Sequence, residues 1–224
     1  MLITSRKDTV FQTTPYPFNR EIQNISPVTA GTQLEIVDYK HNHLWSMTRI
    51  WIDEYQYYIY TEDWELPQRR INQAGIDIIM SYYYPEAYRR GDEYTLGYGT
   101  RERANRMILP EDKCTREKAL TWLKDDLEVV ERGLEKCLRV PLNDNQWSAL
   151  ACIAQDITIP VFRNSKMLMY INDSLVQRML AEFHAWVYRN GYTCPILTRR
   201  RMQEKNLFLS NNVQQLESIR LHRQ

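Results

Sequence analysis

With 224 residues, 43% of them apolar, the chain is long enough to bury one large core or two small ones and too apolar for a disordered segment. A net charge of +1 supplies no global field, which argues against nucleic acid or an anionic membrane surface as partner. No stretch approaches the roughly eighteen apolar residues of a membrane span, and Met1–Phe11 lacks the apolar centre of a signal peptide.

Four cysteines, Cys114, Cys137, Cys152 and Cys194, are widely spaced, and the four histidines are scattered. Without Cys-x-x-Cys or Cys/His spacing, neither a metal nor a cofactor is expected. Free buried thiols are expected, with a Cys137–Cys152 disulfide as the alternative. Fifteen tyrosines and six tryptophans can serve as half-exposed stacking surfaces or as core filling.

Residues 1–69 carry short β patterns. Thr32–Val37 alternates polar and apolar after Ala30-Gly31, Ser46–Ile52 is β-branched and aromatic, and Tyr55–Thr61 follows the turn at Asp53-Glu54. Short strands separated by turns suggest a small barrel. Glu65–Arg70, with Pro67 in a polar run, reads as a linker to a second domain over residues 70–224.

That domain opens on an amphipathic helix from Ile71 to Tyr82, with Ile71, Ala74, Ile78, Ile79 and Tyr82 at helical spacing. Pro85 breaks it. Glu86–Tyr88 and Tyr94–Leu96 then flank a turn at Arg89–Glu93. Thr115 is placed to cap a helix striped by Leu120, Leu123, Leu127, Val130 and Leu134. Its charged face reads as solvated, and Pro141 ends it. Asn143 or Asp144 caps the next helix, with Trp147, Leu150, Ala151 and Ala154 inward, until Ile159-Pro160. Asn164-Ser165 starts a short helix, and Ser174 caps another that Asn190-Gly191 closes. A last helix runs from about Leu197 to Phe208 and carries Arg199–Arg201, followed by a loose terminal helix.

Residues 71–209 resemble the phage lysozyme family, the lambdoid endolysins of glycoside hydrolase family 24. The resemblance rests on Gly75-Ile-Asp-Ile-Ile79, Ala87-Tyr88, Thr95-Leu-Gly-Tyr-Gly99, Pro141-Leu-Asn-Asp-Asn-Gln-Trp-Ser-Ala-Leu150, Phe162-Arg-Asn-Ser-Lys-Met-Leu168, Trp186-Val-Tyr188 and Leu197-Thr-Arg-Arg-Arg201, all in family order. It implies a β-hairpin lobe, a helical lobe and a peptidoglycan cleft between them. Residues Ala30–Tyr39, His43–Ile52 and Tyr57–Glu65 resemble a bacterial SH3-type domain. The expected fold class is therefore α+β: an SH3-like β-barrel followed by a mainly α lysozyme-like domain.

Glycoside hydrolysis needs a carboxylic acid to protonate the leaving oxygen and a second carboxylate to activate water or stabilise the transition state. Aligned without gaps, the family's two carboxylate positions hold Met80 and Arg89; aligned on Ile78-Ile79 and Tyr88, they hold Tyr83 and Arg90. Glu86, Asp92 and Thr95 are the candidate catalytic set if the chain is active, as acid, second carboxylate and water-positioning hydroxyl. The resemblance implies substrate contacts at Tyr83, Tyr98, Asp156 and Phe162. In the segment that lines the family's cleft floor, here Gln155–Pro160, Thr158 and Pro160 replace glycines. Arg101 stands in the Gly-His-Thr region, which has lost its histidine.

Core positions match the family and cleft positions do not. The expectation is a degenerate lysozyme that binds peptidoglycan or a protein partner, in a phage or a phage-tail-like secretion apparatus. It would reach the cell wall without an ordinary signal peptide. The alternatives are an active, divergent muramidase and a toxin or inhibitor that uses the old cleft for another ligand. The sequence carries no signal for oligomeric state.

Overall fold

β-branched and aromatic residues alternating with polar ones give the N-terminal part its strands. The computed structural model describes residues 2–13, 26–36, 38–42, 47–53, 55–65, 69–140, 142–189 and 191–221. It divides into two units, Met1–Arg69 with Arg139–Asn143, and Arg70–Leu138 with Asp144–Gln224.

The first unit contains β1 (Leu2–Ser5), β2 (Thr9–Phe11), β3 (Ser26–Val28), β4 (Gln33–Glu35), β5 (Asp38–Asn42), β6 (Met47–Ile52), β7 (Tyr55–Tyr60) and β8 (Trp64–Glu65). They pair antiparallel as β4-β1-β8, β2-β3 and β5-β6-β7. Ile3, Val28, Ile36, Tyr39, Ile50, Ile59 and Trp64 form its core.

The SH3-like barrel is not found. A barrel needs an unbroken ladder around its circumference. Among the described residues β4 pairs only with β1 and β5 only with β6, while β2 meets β7 through the single bridge Gln12↔Tyr58. Its described strands form open sheets around one core. Glu65, expected in a linker, is the last residue of β8. Val37, Ser46, Glu54 and residues 66–68, also named in the sequence reading, lie outside the described residues.

The second unit begins with α1 (Gln73–Met80), capped by the Asn72 side chain, which accepts from the Gly75 amide at 3.0 Å. Strands β9 (Tyr84–Arg90) and β10 (Glu93–Gly97) form the expected hairpin, with Gly91 at φ 63° in its turn. Pro85 lies inside β9. It has no N–H for the ladder, and the register slips there: Tyr88 pairs with Thr95, but Tyr84 pairs with Gly97. The displaced residues bond elsewhere, Ala87 N–H to Asp112 O at 3.0 Å and Cys114 N–H to Pro85 O at 2.9 Å.

A small hairpin, β11 (Glu102–Arg103) and β12 (Arg106–Met107), leads to α2 (Arg116–Cys137), capped by Thr115. Then come α3 (Asp144–Ile157), α4 (Ile159–Arg163), α5 (Lys166–Asn172) and α6 (Val176–Glu182). The hairpin β13 (Tyr188–Arg189) and β14 (Tyr192–Thr193) precedes α7 (Pro195–Leu221). Every residue of α3 from Trp147 to Ile157 is buried, and α1, α2 and α7 pack around it.

Several boundaries differ from expectation. Pro160 sits in the first turn of α4, where its missing N–H is harmless, and α3 ends because Thr158 adopts φ 79°. Ser174, at φ 59°, caps nothing with its side chain; α6 starts after Leu175. Gly191, at φ 80°, turns a hairpin instead of ending a long helix. Pro141 and Asn190 lie outside the described residues. The four cysteines are free thiols. No described helix is long and apolar enough to cross a membrane.

Candidate functional site

The tip of the β9–β10 hairpin brings Arg90 to the C-terminal end of α3. There it meets Asp156, which is 3% exposed. The two groups pair fork to fork, with Arg90 Nη2 at 2.6 Å from Asp156 Oδ2 and Nη1 on Oδ1. Two arginines of α7 reach the same carboxylate: Arg201 Nη2 bonds Oδ2, and Arg200 Nη1 lies 3.3 Å from Oδ1. Both also hold Glu204 one turn further along the helix, Arg200 Nε at 3.0 Å from Oε1 and Arg201 through Nη1. Arg200 Nη2 donates to Gln155 Oε1 at 2.9 Å, and Gln155 Nε2 donates to Tyr98 O at 2.7 Å. Arg101 Nη2 donates to Asp156 O at 2.5 Å.

Three guanidinium groups thus share two buried carboxylates. Burial alone would raise the Asp156 carboxyl, but the charge of Arg200 and the hydrogen bonds of Arg90 hold it far below the usual carboxylate range. Burial pushes Glu204 up, against the pull of Arg201 and Arg200. Arg200 stays charged because Asp156 and Glu204 outweigh its own burial.

The other expected site residues are scattered. Glu86 is two-thirds exposed and bonded to Lys113 Nζ at 2.6 Å, and that ammonium lowers its pKa. Asp92 stands fully exposed in the hairpin turn, 3.9 Å from Arg89. Thr95 is fully buried, opposite Tyr88, with no hydrogen-bond partner for its hydroxyl. Their surroundings differ: Glu86 pairs with Lys113, Asp92 is exposed and Thr95 is buried.

Tyr83 packs at the base of the hairpin, its hydroxyl donating to Cys114 O at 2.9 Å and its ring 5.4 Å from that of Tyr98. Loss of solvent raises its phenol pKa. Tyr98 and Phe162, expected as substrate contacts, are 2% and 0% exposed and present no surface to a ligand. Arg200, Arg201 and Glu204 were not singled out from sequence as site residues. The signal was available: an arginine run with an acid at i+3 and i+4, on a helix otherwise destined for burial.

Two cavities flank the network. One, of about 670 Å³, opens between the hairpin tip and the Trp186–Arg189 segment. The other, of about 490 Å³, lies between the Gly99–Asn105 loop, α2 and the start of α4. Arg101 and Thr158 line both. Among the described residues, no group of three or more His, Cys, Asp or Glu is placed to hold a metal ion.

Residues 82–204 match the family model for phage lysozyme. The endolysin of Bacillus phage PZA is 33% identical over 146 residues, which are 63% of this chain and 55% of that protein. The endolysin of Acyrthosiphon pisum secondary endosymbiont phage 1 is 32% identical over 147 residues, 62% of this chain and 98% of that protein. Among solved structures, the muramidase domain of SpmX from Asticaccaulis excentricus aligns with a TM-score of 0.53 at 28% identity, covering 63% of this chain and 98% of that one. The chain spans only about half the length of the Bacillus phage PZA and B103 endolysins, 55% and 54%. The family match, the shared fold and the ordered core motifs together place this chain in the phage lysozyme family.

Proposed function

We propose that this member of the family binds cell-wall glycan without hydrolysing it, acting at the bacterial wall as a recognition module. The observation that carries the reading is Arg90. Aligned on Tyr88, it stands where the family has its second carboxylate, and it is bonded to Asp156 through both nitrogens. A guanidinium there can neither activate water as a base nor stabilise an oxocarbenium-like state. Tyr83, at the acid position, is a phenol with a raised pKa, unsuited to give up a proton near neutrality.

Glu86 does not repair the loss. A general acid has to keep its proton near neutral pH, which calls for a raised carboxyl pKa. The ammonium of Lys113 moves Glu86 the other way. Asp92 stands fully exposed in the hairpin turn with Arg89 3.9 Å away.

The test is incubation of the full chain with purified sacculi. Co-sedimentation without loss of turbidity is the expected result. Clearing by the wild type overturns the reading, and its loss in Glu86→Gln would identify Glu86 as the acid. If neither clearing nor co-sedimentation occurs, glycan binding is wrong and a protein partner takes its place.

A further inference from the structure

We infer that Arg101 and Thr158 partition the old cleft into two compartments, so that it accepts short glycan fragments or strand ends and excludes a continuous strand. The inference rests on the non-hydrolytic reading and specifies its ligand.

The two cavities share just those two lining residues. Arg101 is a bar held at several points. It donates to Asp156 O at 2.5 Å and to Gly99 O at 3.4 Å, and lies 3.4 Å from the Glu93 carboxylate. Its side chain is 19% exposed, so it does not wave in solvent as a surface arginine would. Thr158 lines both compartments as well. Its backbone, at φ 79° and ψ 152°, occupies a region that favours glycine, yet it carries a β-branched side chain where glycine would leave open space.

The walls on the two sides differ. The larger compartment has Trp186 and Tyr188 beside Arg90 and Arg189, a surface for a sugar face and its polar edge. The smaller is lined by Val129, Val130 and Ile159, with Asp126 and Arg103 at one side. Each volume lies within the range of about 300–1,000 Å³ typical of small-ligand pockets, so each suits about one or two sugar rings. A strand running through both would have to displace Arg101 and leave Glu93 and Asp156 O without it.

Titration calorimetry with the N-acetylglucosamine dimer and hexamer tests this on the wild type, Arg101→Ala and Thr158→Gly. The wild type is expected to bind both oligomers with similar affinity. In Arg101→Ala the hexamer should gain about a hundredfold over the dimer, because one ligand then engages both compartments. Thr158→Gly should shift the ratio the same way while leaving the ionic contacts in place, and circular dichroism shows whether each variant is folded. A wild type that already prefers the hexamer by that factor, or folded variants whose ratio is unchanged, overturns the partition and leaves the non-hydrolytic reading standing. A wild type that binds neither oligomer overturns both. Mass spectrometry of the recovered hexamer detects any hydrolysis separately.

Discussion

Asp156 is the residue on which the site turns, since its carboxylate gathers Arg90, Arg200 and Arg201 from two elements. Removing one partner from a buried ionic network leaves uncompensated charge, at a cost of about 3–5 kcal/mol. Asp156→Asn is therefore expected to lower the urea midpoint sharply with little change in slope. The pH dependence has a definite sign. The folded Asp156 carboxyl lies below its unfolded value of about 3.9. Its contribution is complete above that value and is lost as pH falls toward the folded one. Glu204, raised by burial, has the opposite sign: its contribution is present at low pH and weakens as pH rises. Destabilisation between about pH 5 and pH 2 should thus follow Asp156, and urea titrations should show a flatter acid limb in Asp156→Asn. Thr158 offers a second check. A residue in a glycine-favouring region stores about 1–3 kcal/mol, and glycine gives back roughly 0.5–1 kcal/mol in chain entropy. Thr158→Gly should raise the melting temperature. Tyr83 and Arg90 were picked out in the sequence by alignment on Ile78-Ile79 and Tyr88. The partner of Arg90 was not, because Asp156 lies sixty-six positions away and only folding brings it near.

At the level of elements, local chemistry was the legible part. Thr115 and Ser165 were placed at helix starts from sequence, and their side chains do accept from Lys118 and Leu168 amides, at 3.3 and 3.2 Å. Substituting either by alanine should cost about 1 kcal/mol in denaturant unfolding. The bulge in β9 was not legible, because the segment that receives the slipped residues, Asp112–Cys114, is supplied by the chain after β12. The charged face of α2 held a similar surprise. Its charged residues were read together as a solvated face, yet Glu131, at helical spacing from Leu127 and Leu134 on the apolar stripe, is 3% exposed, accepting from Ile71 N–H at 2.8 Å and from Arg70 at 2.8 Å. Gly191, expected to end a helix, turns the β13–β14 hairpin instead, since a residue at positive φ serves either purpose. Gly97 ties the main hairpin to α2. A Cβ there would stand 2.8 Å from Ala119 Cβ, and the backbone φ is 66°. Gly97→Ala should loosen that junction and lower the unfolding midpoint.

Across the whole molecule, the ordered motifs of residues 71–209 identified the lysozyme-like fold because they encode helix packing, which survives changes in the cleft. The N-terminal unit was less legible. Its strands were anticipated from β-branched and aromatic runs, but composition does not say which edges pair, and closure into a barrel depends on that. The chain also crosses between its units more than once, since Arg139–Asn143 belongs with the first. Arg69 there donates to Leu142 O. A fragment starting at Arg70 would keep residues 139–143 without their companions, so it should melt lower and less cooperatively than the full chain in calorimetry.

The fork between Arg90 and Asp156 has a kinetic consequence. It fastens the hairpin tip to the C-terminal end of α3 and, through Arg200 and Arg201, to α7. Breathing of the hairpin away from the helices then requires opening a buried ionic cluster rather than sliding over water. Hydrogen exchange at the β9–β10 amides should accordingly be as slow as in α3, and Arg90→Ala should let the hairpin exchange alone, well ahead of the helices.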